Sequence, residues 1–196
     1  MNLPECRRRL AAAGLEVLDP WPPDGGLVTP IGVAWSASSA GPDDGRTDRT
    51  FADTDADRVD FANATWLQVS EEYGLMGDDG TFLVGVNTGD DPVSTWFRAR
   101  LRQEFDLFGL GAEQRVLGYG WGNPEFVMHS ADGNVLIAAS SYELFFSIIV
   151  IPRPFAAGTL RRAAKRRLAA AVSESEMATL TLWLERRPGQ PAGSTG

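Results

Sequence analysis

The sequence has few of the side chains that most often carry out catalysis or hold metals. Its 196 residues include one cysteine, Cys6, and one histidine, His129. A single cysteine excludes an intramolecular disulfide and a cysteine-based zinc site, and a single histidine excludes a metal site built from several imidazoles. Chemistry that depends on such clusters is therefore not expected, and no cofactor is predicted.

The chain also lacks long apolar runs. No stretch approaches the roughly 18 apolar residues of a membrane-spanning helix, and no basic segment followed by an apolar run marks a signal peptide. These absences predict a cytoplasmic protein that does not enter a membrane. Lysine is scarce too, since 17 of the 18 basic residues are arginine. A GC-rich bacterial genome is enough to explain that ratio, so the arginine excess by itself does not indicate a function.

What the chain has instead is charge sorted by region. From Asp19 to Asp91 there are 15 acidic residues and three arginines, a local net charge of −12. The region from Pro92 onward carries a net charge of +3, and the whole chain is at −8. Asymmetry on this scale indicates two electrostatically distinct surfaces, which face each other or face partners.

The apolar segments predict an α+β fold with a mainly antiparallel sheet. Segments 125–129, 135–139 and 144–151 are apolar and separated by turn residues, which is typical of a three-stranded meander. The third segment is almost continuously apolar, so we expect both of its faces to be covered and place it at the centre of the sheet. Residue types also favour strands at 27–35, 61–73 and 81–86, the last two as a hairpin, with a helix as the alternative for 61–73.

Helices are expected to pack against one face of this sheet. Apolar spacing and cap residues predict them at 3–14, 92–108 and 159–172, while 177–187 fits a helix or a strand. Residues 36–60 are dominated by Gly, Ser, Pro and Asp, which predicts a mobile acidic loop. The chain is thus predicted to form a single domain over 1–187, followed by a disordered tail at 188–196.

The acidic loop is the first candidate site. Asp53, Asp55 and Asp57 have the odd-position spacing of carboxylates in a calcium-binding loop. However, Arg58 stands where the tight turn requires glycine, and Ala64 stands where a bidentate glutamate should close the site. A solvated acidic surface is the simpler interpretation, and a cation site is the alternative.

The second candidate is a basic stretch within the predicted helix 159–172. Five positive residues fall within seven positions, and most of them share one flank of the helix. A solvated face is the simplest interpretation, and a weak anion-binding surface or a contact with an acidic protein are the alternatives. Nucleic acid fits poorly because the chain as a whole is acidic and carries no nucleic-acid-binding motif. The five residues are Arg161, Arg162, Lys165, Arg166 and Arg167.

The third candidate is segment 118–124, in which glycine alternates with Tyr119 and Trp121. The segment lacks the lysine of a phosphate-binding loop and the spacing of a dinucleotide fingerprint. In an extended chain the two aromatic side chains project to one side and the glycines leave the other side bare. That arrangement suits close backbone packing against a helix, or an aromatic platform for a ligand or partner.

Nucleophilic catalysis would require Cys6 and His129 to meet. Cys6 lies at a helix start beside three arginines, a position that would lower the pKa of its thiol. Nothing in the sequence brings the two residues together, so a structural histidine and an inert thiol are the simpler interpretation. Paired-carboxylate chemistry stays open, because the 26 acidic residues offer many pairs.

These features predict a non-catalytic protein-binding module, such as an inhibitor, an immunity-type protein or an adaptor. We expect it to recognise a basic protein partner through an acidic surface. The alternative is a carboxylate-dependent hydrolase, with or without a metal, that uses the acidic loop beside Tyr119 and Trp121. The predicted partner-binding residues are Asp43, Asp44, Asp53, Asp55, Asp57, Tyr119 and Trp121.

Overall fold

A computed structural model describes residues 2–21, 26–86 and 95–186. The described residues form six α-helices and nine strands. The helices are Leu3–Ala12 (α1), Ile31–Ala34 (α2), Arg58–Tyr73 (α3), Leu110–Glu113 (α4), Gly158–Ala170 (α5) and Glu174–Glu185 (α6). The strands are Leu15–Pro20 (β1), Thr47–Ala52 (β2), Thr81–Val86 (β3), Thr95–Leu101 (β4), Gly118–Gly120 (β5), Asn123–Pro124 (β6), Phe126–His129 (β7), Val135–Ser141 (β8) and Phe145–Pro152 (β9). Short 3-10 helices span Trp35–Ser39, Pro42–Asp44 and Pro154–Ala156.

Seven strands form one sheet in the order β1-β4-β3-β7-β8-β9-β2, and every neighbouring pair is antiparallel. Strands β5 and β6 form a separate two-stranded ribbon. The fold is therefore α+β with an antiparallel sheet, as predicted. The predicted meander is confirmed as β7, β8 and β9, but β7 is the central strand and β9 lies next to the edge strand β2. The placement of 144–151 at the centre of the sheet was wrong. Only one strand, β2, lies beyond β9, whereas three strands lie beyond β7 on the other side of the meander.

Helices cover both faces of the sheet. On one face, α1 and α3 pack against a cluster that includes Phe82, Ile148 and Val150. On the other face, α2, α5 and α6 pack against a cluster that includes Ile149 and Ile151. The prediction of helices on one face was wrong. The apolar run of β9 already required a layer on each side, because neighbouring residues of a strand point to opposite faces.

Segment 61–73 is helical, as part of α3, and not the strand that its residue types favour. Val59, Ala62, Trp66 and Val69 are buried at spacings of three and four residues, which places them on one helix face. Packing of this face on the sheet outweighs the β-propensity of Thr65 and its neighbours. The strand expected at 27–35 is also wrong. Its second half is α2, whose first bonds run from the backbone N–H groups of Val33 and Ala34 to the Pro30 carbonyl at 2.7 and 3.0 Å.

The predicted mobile loop at 36–60 is largely regular structure. It contains two 3-10 helices, the start of α3 and the edge strand β2, which pairs with β9 at six positions. An edge strand with one neighbour and an exposed side needs few apolar residues, so its sequence resembles that of a loop. Ala37 and Ala40 are nevertheless buried in the core.

The helix predicted at 92–108 was wrong over the described residues 95–108. Residues 95–101 form β4, whose Trp96 and Phe97 are buried on opposite faces of the sheet. Burial on both faces removes the alternation that identifies a strand and leaves a spacing that also fits a helix. Residues 92–94 lie outside the described residues.

The remaining helix predictions agree with the structure. The predicted helices at 3–14 and 159–172 are observed as α1 and α5. Of the segment left open at 177–187, residues 177–185 belong to the helix α6, whose start is capped by the Ser173 hydroxyl, which accepts from the Glu176 N–H at 3.2 Å. Residue 187 lies outside the described residues. None of the described helices is long and apolar enough to cross a membrane. The predicted tail at 188–196 lies outside the described residues.

Candidate functional site

Three chain segments meet at one end of the sheet. Ala52 pairs with Phe145 at the end of β2, so the turn that follows β2 leaves the sheet beside the β8–β9 turn. The β5–β6 ribbon precedes β7, whose first residue, Phe126, pairs with Ala139 near the end of β8. The ribbon therefore reaches the same end, where the Ser141 hydroxyl donates to the Pro124 carbonyl at 2.8 Å.

The acidic turn, which we define as residues 53–57, is exposed and attached to the sheet. The Asp53 N–H donates to the Leu144 carbonyl at 3.0 Å, and the Asp55 carboxylate accepts from the Asp57 N–H at 3.2 Å. Over residues 2–21, 26–86 and 95–186, no group of three His, Cys, Asp or Glu side chains is placed to hold a metal ion. The cluster that the cation alternative requires is not formed there.

Arg58 joins the acidic turn to the ribbon. Its Nε lies 3.7 Å from an Asp53 carboxylate oxygen, and its Nη1 donates to the Asp55 carbonyl at 3.4 Å. On the other side, a methyl group added at Gly122 would lie 2.7 Å from Arg58 Nη2. Gly122 also has φ +67°, a left-handed backbone conformation that favours glycine. Arg58 is therefore a structural residue that connects the acidic turn to the ribbon, and the turn that it follows is not a calcium-binding loop.

The ribbon presents Tyr119 and Trp121 to solvent. Their exposed fractions are 76% and 52%. The Trp121 ring rests with its edge over Gly109, where an added methyl group would lie 2.7 Å from Cη2. On its other side the ribbon packs closely on α4, because a methyl group at Gly118 would lie 2.9 Å from the Ala112 Cβ. The predicted close packing at glycine is observed, and the two rings are exposed, whereas their use as a platform for a ligand or partner stays a prediction.

Further apolar side chains are exposed at the same end. Phe61 is 56% exposed and lies one turn after Arg58 on α3. In the β8–β9 turn, the rings of Tyr142 and Phe145 stack with centroids 4.7 Å apart, and Leu144 is 72% exposed. We call this surface the aromatic end and define it by the exposed side chains of Phe61, Tyr119, Trp121, Tyr142, Leu144 and Phe145.

Sequence reasoning missed four residues of the aromatic end. Phe61 could have been found from the helical pattern, because it stands outside the spacing of the buried Val59 and Ala62. The sequence does not distinguish Tyr142, Leu144 and Phe145 from core residues, because they stand at the start of an apolar run. They are exposed only because the β8–β9 turn lies there.

Asp43 and Asp44 lie at the opposite end of the sheet, where β2 begins and β9 ends. The Asp44 carboxylate accepts from the Thr159 N–H at the start of α5 and from the Gly41 N–H, both at 3.1 Å. Burial acts to raise the pKa of Asp44, but these hydrogen bonds outweigh it and hold the pKa below its ordinary value. The structure therefore places Asp53, Asp55 and Asp57 at the same end of the sheet as Tyr119 and Trp121, and it separates Asp43 and Asp44 from them.

The basic residues of α5 divide into two groups. Arg161 is half-buried and donates to the carbonyls of Phe155 and Leu184 at 3.1 and 2.6 Å, so it ties α5 to α6. Arg167 pairs with Glu176 at 2.6 Å. The other three predicted anion-binding residues are exposed, and they are Arg162, Lys165 and Arg166.

Cys6 and His129 lie on opposite faces of the sheet, so they do not form a catalytic pair. Cys6 packs in the cluster under α1 and α3, where burial raises the pKa of its thiol to about 11. The expectation of a lowered thiol pKa was wrong because desolvation outweighs the neighbouring arginines. His129 contacts Trp96 in the cluster on the other face.

His129 belongs to a fully buried hydrogen-bond network. Its Nδ1 lies 2.9 Å from the Ser130 carbonyl, which can only accept, so Nδ1 carries the proton. Its Nε2 then accepts from the N–H and hydroxyl of Thr29 at 3.3 and 2.9 Å, and Trp96 Nε1 donates to the Thr29 carbonyl at 2.9 Å. Burial lowers the pKa of His129 to about 4, so the ring is neutral near pH 7 and serves to hold segment 28–30 against the sheet.

Comparison with protein-family models, with curated proteins and with solved structures finds no significant match for this chain. Function is therefore inferred from the surfaces of the molecule. Among those described above, the aromatic end combines large exposed apolar side chains with nearby carboxylates.

Proposed function

We propose that this protein is a non-catalytic binding module that recognises a basic protein partner through its aromatic end. The observation that carries the proposal is the grouping of six exposed aromatic and aliphatic side chains with five exposed carboxylates at one end of the sheet. The carboxylates are those of Asp53, Asp55, Asp57, Asp60 and Glu143. An inhibitor, an immunity-type protein and an adaptor are the kinds of protein that work in this way.

The apolar side chains supply the area that a partner would bury. Exposed apolar residues scattered singly are ordinary, but a group of them within one region is typical of an interaction surface. Tyrosine and tryptophan are enriched in interfaces because their rings bury a large area at a small entropic cost. Tyr119 and Trp121 are both more than half exposed, so burial by a partner would remove much apolar surface from water.

The carboxylates are expected to attract a basic partner and to disfavour an acidic one. The acidic turn adds three negative charges next to the rings, and the whole chain is at −8. A basic partner is attracted over a distance set by the ionic strength, which raises the rate of encounter and disfavours acidic partners. Arg58 and the Asp53–Leu144 hydrogen bond hold the turn in place, so little ordering is needed when a partner binds.

The test is capture of a partner from a lysate of the native host at low ionic strength, with native mass spectrometry as the readout. Wild type is expected to retain a stoichiometric basic protein, and Tyr119→Ala with Trp121→Ala is expected to lose it. The matched control is Val172→Ala with Leu182→Ala, which removes exposed apolar side chains outside the aromatic end and should retain the partner. Absence of any retained protein, or equal retention by both double variants, contradicts the proposal.

A further inference from the structure

We propose that the segment bound at the aromatic end presents arginine, rather than lysine, to Tyr119 and Trp121. This inference rests on the proposed function and specifies the chemistry of the partner. It follows from two features that occur together at this end: exposed aromatic rings, and exposed carboxylates of which four form no ion pair within the described residues.

The rings are accessible, and the Trp121 ring contacts Gly109. Asp106, in the same loop, accepts hydrogen bonds from the Gly109 N–H and from the Asn63 side chain of α3, both at 2.8 Å. About half of the Trp121 surface and three quarters of that of Tyr119 remain exposed. A cation placed over such a face is attracted by the ring quadrupole, with tryptophan the strongest of the aromatic residues.

The carboxylates are available as well. Asp53 has Arg58 at 3.7 Å, but Asp55, Asp57, Asp60 and Glu143 have no ion-pair partner within residues 2–21, 26–86 and 95–186. Arg58 also contacts both the acidic turn and Gly122 of the ribbon, so these carboxylates and rings lie at the same end of the sheet. An incoming cation can therefore meet a ring face and a carboxylate at the same time.

Arginine suits this combination better than lysine. Its guanidinium is planar, so one face can stack on a ring while the N–H groups in its plane donate to a carboxylate. It is also more weakly hydrated than an ammonium group, which lowers the cost of burying it. The same chain places a guanidinium over a ring elsewhere, since Arg186 Cζ lies 4.1 Å from the centroid of the Phe155 ring.

The test compares two probe peptides of equal length, one alternating arginine with glycine and the other alternating lysine with glycine, by calorimetric titration at low salt. The arginine peptide is expected to bind several-fold more tightly, because a guanidinium can stack on a ring and donate to a carboxylate in its plane at the same time, which an ammonium group cannot. Tyr119→Leu with Trp121→Leu should abolish the preference, whereas Tyr119→Phe with Trp121→Phe should keep most of it, because phenylalanine retains a ring face. Asp55→Asn with Asp57→Asn should weaken both peptides, and the arginine peptide more, because it removes carboxylates that the planar guanidinium is expected to contact together with a ring.

Equal affinity for the two peptides, no binding of either, or a preference that survives the leucine variants would overturn the arginine inference. The proposed function is judged separately by the lysate experiment, so a partner captured only when Tyr119 and Trp121 are present leaves that function standing. A further control is sedimentation of the protein alone. Self-association that weakens with salt, and that is lost both in the leucine variants and in Arg162→Glu with Arg166→Glu, would show that a second copy of this chain binds at the aromatic end. That result would also overturn the inference.

Discussion

At the scale of single residues, His129 shows how burial sets a protonation state. The ring has no contact with water, its two nitrogens are hydrogen-bonded, and its pKa is lowered to about 4 from the ordinary value of 6.5. The unfolded chain therefore binds a proton below about pH 6.5 that the folded chain does not bind until about pH 4. The free energy of unfolding falls as the pH is lowered through this window and is unaffected by this group above it.

We predict that wild type loses about 2 kcal/mol of unfolding free energy between pH 7 and pH 5 through His129 alone. The variant His129→Gln lacks this titrating group, so its stability should be lower at pH 7 and should lose about 2 kcal/mol less than wild type between pH 7 and pH 5. Urea unfolding of both proteins at the two pH values measures the difference. Parallel pH dependence in wild type and variant would contradict the assignment of the titration to His129.

At the scale of elements, the start of α5 depends on a residue from a distant 3-10 helix. The Asp44 carboxylate accepts from the Thr159 N–H, so a negative charge from outside the helix satisfies one of its unpaired donors. This hydrogen bond places a negative charge at the positive end of the α5 dipole. It also joins the acidic region of the chain to the basic region.

We predict that Asp44→Ala destabilises the protein by about 1 kcal/mol, the usual cost of removing a helix cap. Its neighbour Asp43 is exposed and gives a matched control, so Asp43→Ala should change stability far less. Because the folded-state pKa of Asp44 is lowered, this stabilisation is present above its ordinary pKa of 3.8 and is lost as the pH falls through the folded value. Thermal unfolding at pH 7 measures both variants, and equal losses would contradict the capping role.

Sequence patterns predicted some elements and failed for others for identifiable reasons. The meander β7–β9 was recognised because apolar runs bounded by turn residues leave few alternatives. Strand β4 was mistaken for a helix because burial on both faces removed its alternation, and β2 was missed because an edge strand can be polar. In α3, tertiary packing of one helix face overrode the residue types.

At the scale of the whole molecule, the negative charge is expected to govern how fast a cationic ligand arrives. We predict that the association rate of the arginine–glycine peptide falls several-fold when salt is raised from about 50 to about 200 mM, while the dissociation rate changes much less. Stopped-flow measurement of both rates tests this. A salt effect confined to the dissociation rate would contradict steering by the long-range field.

The aromatic end could not have been predicted in full, because it is assembled from segments far apart in the chain. Residues 53–61, 119–122 and 142–145 meet only through the pairing of β2 with β9 and the position of the β5–β6 ribbon. The predicted grouping of Asp43 and Asp44 with Asp53 illustrates the limit. These residues are near neighbours in sequence, yet β2 runs between them and carries them to opposite ends of the sheet.

The sequence by itself determined the α+β class, the antiparallel meander and the absence of chemistry based on several cysteines or histidines. These properties depend on composition and on local apolar patterns, which act over a few residues. Only the tertiary structure decided which helices cover which face, that Cys6 and His129 lie apart, and which exposed rings and carboxylates share one surface. Those outcomes depend on strand register and layer packing, which are set by contacts between residues distant in the chain.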